Sequence, residues 1–304
     1  MRTTLFLLIT ALTGCVGAGP SGSELAVGCS DSTRGLGSDA VEATARLNCY
    51  REMIGLGRVS LDADLSAAAQ AHANYMQATG EYSHTQSSPS HHLFSGSQVL
   101  DRLNSAGAQL DTSADGVHEV LAFHTAGADP TLAVDLWMDT VFHREPLVTP
   151  SLTAVGFGTA GIYSVMELVA PWEAPAETKL ARYPAPGQGD ARTHFDSDAE
   201  TPDPLPGLGE VGVPITITAL APVWLGDDDP YGLSINEALS RLTSAQGAQR
   251  GLVFLAPASS PTLLRTIAAV PTAPLPPHSS WDVTLVFTLN GEQFEESWSF
   301  ATGE

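Results

Sequence analysis

Lysine is nearly absent from this chain. Lys179 is the only one, and 13 basic residues stand against 34 acidic ones, a net charge of −21 over 304 residues. A surface of that sign repels phosphate backbones, and no basic stretch interleaved with aromatic residues relieves it, so nucleic acid is excluded as a partner. Long apolar runs are missing as well. The richest, Leu5 to Ile9 with Ala11 and Leu12, falls far short of the roughly 20 residues that cross a bilayer, and no later stretch reaches that length. No Gly-x-Ser-x-Gly elbow occurs, and with three cysteines in all no free thiol stands out as a nucleophile. What is present is a hydrophobic content of 43%, ample for packed cores, and a length that suits about two domains.

Arg2 followed by the short apolar run reads as a processed leader (residues 1–14). Leu12-Thr13-Gly14-Cys15 resembles the lipobox of bacterial lipoproteins, in which the cysteine thiol is acylated and becomes the new N-terminus. The expected outcome is a membrane partner held through an N-terminal lipid anchor on Cys15. Val16 after that cysteine, rather than an aspartate, resembles outer-membrane sorting, so the expected location is the outer membrane or cell surface. Residues 15–37, rich in Gly and Ser, read as a flexible tether. Cys29 and Cys49 then remain as an even pair in an oxidising compartment. A disulfide between them would close a loop of about 20 residues, worth roughly 3 kcal/mol if unstrained; the alternative is two free thiols, with Cys49 packed as a small apolar residue.

Periodicity places a helix from Ser38 or Asp39 to Ile54, with Ala43, Leu47, Tyr50 and Ile54 inward, and a second from about Asp62 to Gly80. His72 lies on the apolar stripe of the second and reads as a core histidine, while His91-His92 sit in a polar loop and read as solvated. Ser97 to Ala106 makes a short helix. Asp129-Pro130 opens another that runs to Phe142. Strand-like runs follow at 154–158 and 162–169. Beyond Pro171 the composition turns to Pro, Gly, Asp and Glu, read as a linker with connecting loops over 173–210. From 211 to 304 the character is β: Val213 to Ile217 as an edge strand, and a hairpin turning at Asn290-Gly291 between alternating aromatic and aliphatic residues. A helical period at Ile235 to Leu242 suggests an inserted helix.

Six short islands share one order along residues 38–172. They are Leu47-Asn48-x-Tyr50-Arg51, Ala71-His72-Ala73-x-x-Met76, Ser83-His84, Gly116-x-x-Glu119-x-x-Ala122, Trp137 with His143-Arg144-x-x-Leu147, and Val155-Gly156-x-Gly158. Together they resemble the CAP superfamily of cysteine-rich secretory, antigen 5 and pathogenesis-related proteins, in its compact bacterial form. The resemblance implies an α+β fold: an α/β/α sandwich, followed here by a small β-sandwich whose ends resemble bacterial Ig-like modules. It also implies a shallow cleft with His84 and His143 as imidazoles and Glu119 as carboxylate, a set able to hold a divalent cation such as Zn²⁺. Larger family members carry a second acid three residues after the tryptophan. That position is Thr140 here, with Asp139 the near substitute, which weakens a cation site and any two-acid chemistry.

Other catalytic patterns fail on spacing. His118 and His124 are six residues apart, about 240° around a helix, so they cannot form a zinc-protease pair. Asp227-Asp228-Asp229 and Asp196-x-Asp198-x-Glu200 complete no calcium loop and read as solvated. The function expected is therefore a cell-surface lipoprotein, non-enzymatic or at most weakly enzymatic, offering a cleft of His84, Glu119 and His143 to a small ligand, a divalent cation, or an envelope or host surface protein, with no cofactor required. Two alternatives stand beside it: a metal-dependent hydrolase with Glu119 as general base, and an adhesive protein acting through its β-domain.

Overall fold

The computed structural model describes residue 29 and residues 33–110, 115–124, 127–171, 174–223, 225 and 231–304. The leader, Cys15, most of the tether and Asp227 to Asp229 lie outside the described residues. Among the described residues no helix is long and apolar enough to cross a membrane.

Helix α1 (Asp39–Met53) buries Ala43, Leu47 and Tyr50, with Ile54 just past its end, the spacing of one helical face. Strand β1 (Ser60–Leu61) leads into α2 (Ala63–Thr79). That helix starts where Asp62 accepts the N–H groups of Asp64 and Leu65, and stops at Gly80 with φ +72°, a left-handed cap that costs glycine least. Next come α3 (Val99–Ala106), β2 (Asp115–Phe123) and α4 (Pro130–Asp139), the last capped by Asp129 on Thr131 and Leu132. A single turn, α5 (Arg144–Leu147), precedes β3 (Ala154–Ala160) and β4 (Tyr163–Pro171). The four strands form one sheet in the order β1-β3-β4-β2, antiparallel except where β1 meets β3.

Alternation along the strands sorts the two faces. Val120, Ala122, Val155, Phe157, Met166 and Leu168 pack with α1 and with Ala133, Val134 and Trp137 of α4. Leu121 and Val165 pack with Ala69, Ala73 and Met76 of α2, and Val169 with Leu65, Ala68 and Leu103. Residues 38–171 are thus helices on both faces of one sheet. Gly156 and Gly158 of β3 lie against α2, and a Cβ on either would collide with the α2 backbone at Leu65-Ser66 or Ala69-Gln70; a helix this close requires glycine there. Cys29 and Cys49 form the expected disulfide.

The described part of the C-terminal half is β-rich, with one 3-10 turn at Ser197–Ala199: β5 (Lys179–Tyr183), β6 (Phe195–Asp196), β7 (Glu210–Val211), β8 (Ile215–Leu220), β9 (Ser234–Ile235), β10 (Arg241–Ser244), β11 (Leu252–Leu255), β12 (Thr266–Pro271), β13 (Ser280–Leu289) and β14 (Glu292–Ala301). One sheet runs β11-β12-β8-β5; the other runs β10-β13-β14, with β9 also on β13. Ile215, Ile217, Ile267 and Ala269 of the first share a core with Leu242, Trp281, Val283, Leu285, Phe287, Trp298 and Phe300 of the second. The hairpin turns at Asn290-Gly291, both with positive φ, as that dipeptide favours.

Three expectations change here. Residues 173–210 are more than a linker, since β5 is a full member of the first sheet and Ala181, Tyr183 and Ala185 pack into the α1/α4 core. The strand expected at an edge is β8, which lies inside its sheet between β12 and β5; Pro214 stands just before it, where a missing N–H breaks no ladder bond. Ile235 to Leu242 is not a helix. Ile235 and Leu242 pair with β13 in β9 and β10, and the residues between make the turn that joins them. The apolar spacing came from two strand ends facing one core.

Candidate functional site

The loop after α2 is held from below. Glu81 accepts a 2.8 Å hydrogen bond from the Tyr75 hydroxyl, the Ser83 carbonyl accepts from His72 Nε2 at 2.9 Å, and the His84 carbonyl accepts from Arg102 Nη1 at 3.0 Å. His72 is fully buried, as its place on the α2 stripe predicts. With Nε2 donating to Ser83, its Nδ1 accepts from Gln86 at 3.1 Å; burial first, then the Arg102 charge, bring its pKa down to about 4 against the opposing pull of Glu119. The imidazole of His84 projects from this loop with 54% of its side chain exposed, and its Nδ1 lies 2.8 Å from Glu119 Oε1.

Glu119 is sealed, its side chain 1% exposed. It shares strand parity with Val117 and Leu121, which turns it toward α2 and α3, where Arg102 Nη2 meets its second oxygen at 2.5 Å. Burial raises the Glu119 pKa, but the His84 hydrogen bond and the Arg102 charge outweigh it and hold the carboxyl below its usual range. Directly across the β2–β4 ladder stands Glu167, fully buried.

His143 does not join this group. It follows α4, which packs on the opposite face of the sheet, and its Nδ1 lies 2.8 Å from Glu200 Oε1. The same carboxylate accepts the backbone N–H groups of Val141, Phe142 and His143 at 2.9, 2.7 and 3.0 Å. The two residues after His143 also face the C-terminal half. Arg144 donates to Met138 and Pro214 carbonyls at 2.6 and 2.7 Å, with its guanidinium 4.2 Å from the Tyr183 ring centre. Glu145 accepts the N–H groups of Leu264 and Arg265. The His143-Arg144-Glu145 triplet is therefore a joint between the sheet-and-helix layers and the β half.

The cation expectation finds no support in this geometry. Among the described residues no three His, Cys, Asp or Glu side chains are arranged to hold a metal ion. Both oxygens of Glu119 are already engaged, one by a buried guanidinium whose charge a cation would have to displace. His143 is turned to Glu200. Asp139, the near substitute for a second acid, pairs with Arg192 at 3.0 Å, and burial lifts its pKa to about 6. Thr140 caps α4 by donating to the Trp137 carbonyl.

A carboxylate–imidazole pair on a sheet strand, a glycine pair under α2, and Trp137 donating to the Leu121 carbonyl at 2.8 Å define a frame that can be compared with known proteins. Residues 44–168 match the model of the cysteine-rich secretory protein family, CAP. The matched CAP segment holds the α/β/α layers and leaves the C-terminal sheets outside. Among solved structures, the chain is similar to a 1.5 Å crystal structure of an extracellular protein containing a SCP domain from Bacillus anthracis str. Ames, at 20% identity and a TM-score of 0.37. The likeness covers 43% of this chain and 40% of that one. No curated protein matches.

The structure brings together His84 and Glu119 of the expected set, and beside the two imidazole–carboxylate pairs it places Arg102, Glu167 and Glu200, which the sequence did not single out. Glu167 carried a signal: a charged residue at an inward position between Val165 and Val169 in a run buried on both faces. Arg102 had none, because an arginine in a short helix ordinarily faces water. Glu200 was read with Asp196 and Asp198 as solvated, yet its residue is 1% exposed.

Proposed function

We propose that this protein is an exported ligand-binding protein in which His84, oriented by Glu119, is the group that meets the ligand. The observation that carries it is the contrast within the pair: a sealed carboxylate fixes Nδ1 of a half-exposed imidazole, so the tautomer is set with Nδ1 donating and Nε2 accepting toward solvent. A small polar ligand with a hydroxyl or N–H donor fits that acceptor. The reading leaves a cation and His143 out of the site. Export agrees with the disulfide and with the extracellular SCP protein to which the chain is similar; lipidation at Cys15 would keep it on the cell surface. The C-terminal half reads as Ig-like, which the strand order β5-β8-β12-β11 against β10-β13-β14 supports, and it would act as spacer or adhesive. Thermal-shift and calorimetric screening of polar small molecules, followed by the His84 imidazole NMR signals, tests the reading. Binding that moves those signals and is lost in His84→Ala supports it; binding indifferent to His84→Ala refutes it.

A second reading follows from the same geometry. An imidazole held by a carboxylate with Nε2 open is the arrangement of a general base, so any hydrolysis would draw on His84 as the proton acceptor, with Glu119 orienting it. Ester or peptide turnover that survives chelator and disappears in His84→Ala would favour this over simple binding.

A further inference from the structure

Beneath the His84–Glu119 pair lies a second acid that neither reading uses. Glu167 opposes Glu119 across β2 and β4, is fully buried, and receives no hydrogen bond at either carboxyl oxygen from any N–H group. The groups around it come from every neighbouring element. Arg102 on α3 approaches with Nε, 3.9 Å from Oε1, too far for a hydrogen bond. His72 on α2 is neutral and committed to Ser83 and Gln86. On β3 the residue opposite is Gly156, which offers nothing. His84 is bonded to Glu119, and the Tyr82 phenol is close enough to feel the Glu119 charge. What remains is the Glu119 carboxyl itself, a directly opposed cross-strand neighbour on β2 whose oxygen is bonded to the same Arg102 guanidinium.

Two carboxylates and one guanidinium sealed together would leave an uncompensated buried negative charge, which costs several kcal/mol. One proton removes the problem. We propose that Glu167 keeps its proton at neutral pH and donates it as a hydrogen bond to Glu119, making it the positioning acid of the His84–Glu119 pair. The buried set is then electrically neutral, and Glu119 is fixed from three sides by Glu167, Arg102 and His84. Burial and the adjacent Glu119 charge both push the Glu167 pKa well above the ordinary range. The functional consequence rests on the reading that His84 meets the ligand: Glu119 stays a full anion behind the imidazole, held in one rotamer by a neutral acid.

The shared proton has readouts of its own. In an infrared difference spectrum at pH 7, wild type minus Glu167→Gln shows the carbonyl stretch of a protonated carboxylic acid, while Glu145 and other acids cancel. Glu119→Gln abolishes the same band although Glu167 is still present, because the lone acid then ionises against Arg102. Stability gives a third test with a definite sign. A glutamate whose folded pKa exceeds its unfolded value of about 4.3 stabilises the fold fully below that pH and loses the contribution as pH rises toward the folded pKa. Glu167→Gln has no such loss, so it melts at or above wild type at pH 7, and its advantage shrinks as pH falls toward about 4.3. A band that persists in either variant, or Glu167→Gln melting below wild type at pH 7 and above it in acid, overturns the proposal. None of these measurements involves a ligand, so the proton assignment stands or falls separately from the role given to His84.

Discussion

Among the described residues two imidazole–carboxylate pairs have the same 2.8 Å Nδ1–oxygen distance and different surroundings. At His84 the carboxylate is buried and the ring is half in water. At His143 the ring is only 16% exposed, and its carboxylate, Glu200, also collects three consecutive backbone N–H groups. The first pair leaves a nitrogen free for something else. The second spends nearly all its polar capacity inside the protein, tying the end of α4 to the segment that leads into the β half. Both carboxylates are sealed, and what separates the two contacts is how much of the ring is left in solvent; on that difference rests the proposal that the first serves recognition and the second cohesion.

The sharpest way to break that contrast is Glu200→Ala. Three backbone donors and one imidazole lose their acceptor in a buried place, and each stranded donor costs about 1–3 kcal/mol. We expect a loss of at least about 3 kcal/mol in chemical denaturation, with limited proteolysis opening the chain between Phe142 and Glu200. If the variant denatures like wild type, the second pair is not a structural tie.

His143→Ala should come next. It removes one charge-assisted hydrogen bond from Glu200 while the three backbone N–H groups stay, so the expected loss is about 1–2 kcal/mol. His143→Asn, whose amide can still donate, should recover part of it. A variant that loses ligand binding at wild-type stability would instead return His143 to the recognition site, and the division between the two pairs would be wrong.

Helix caps and apolar spacing located α1, α2 and α4, because Asp62, Gly80 and Asp129-Pro130 act locally and their effect is visible within a few positions. The Gly156 and Gly158 pair was legible as a motif, and its cause, the closeness of α2, needed the structure. Strand parity could have separated Glu119 from His143. Once residues 116–122 are a strand, Glu119 turns to the face of Leu121, whereas the alternate residues Val120 and Ala122 pack against α4. The Glu200 contact was not legible, since it joins residues 57 apart across a segment whose composition resembles solvated loop. The strand order of the β half was hidden for the same reason: pairing β8 with both β12 and β5 depends on distant partners, and its own residues are equally compatible with an edge.

The smallest effect on the fold should come from His84→Ala, and it is the most informative about function. The ring is more than half exposed, and a hydrogen bond to a carboxylate that is open to water on one side contributes about 0–1 kcal/mol, as exposed polar pairs do. Its loss leaves Glu119 still bonded to Arg102, so the carboxylate is not stranded. Thermal melting within about 2–4 °C of wild type is therefore expected, in keeping with a change of 1 kcal/mol or less, and far from the change produced by Glu200→Ala. The position of Glu119 should persist, which a crystal structure of the variant or the retained infrared band of Glu167 would report. If His84→Ala instead unfolds the loop 81–97, visible as fast amide exchange at Gln86 and Ser95, then His84 is holding the loop in place. In that event the first pair is a tie like the second, and the contrast on which the ligand-binding proposal rests is lost.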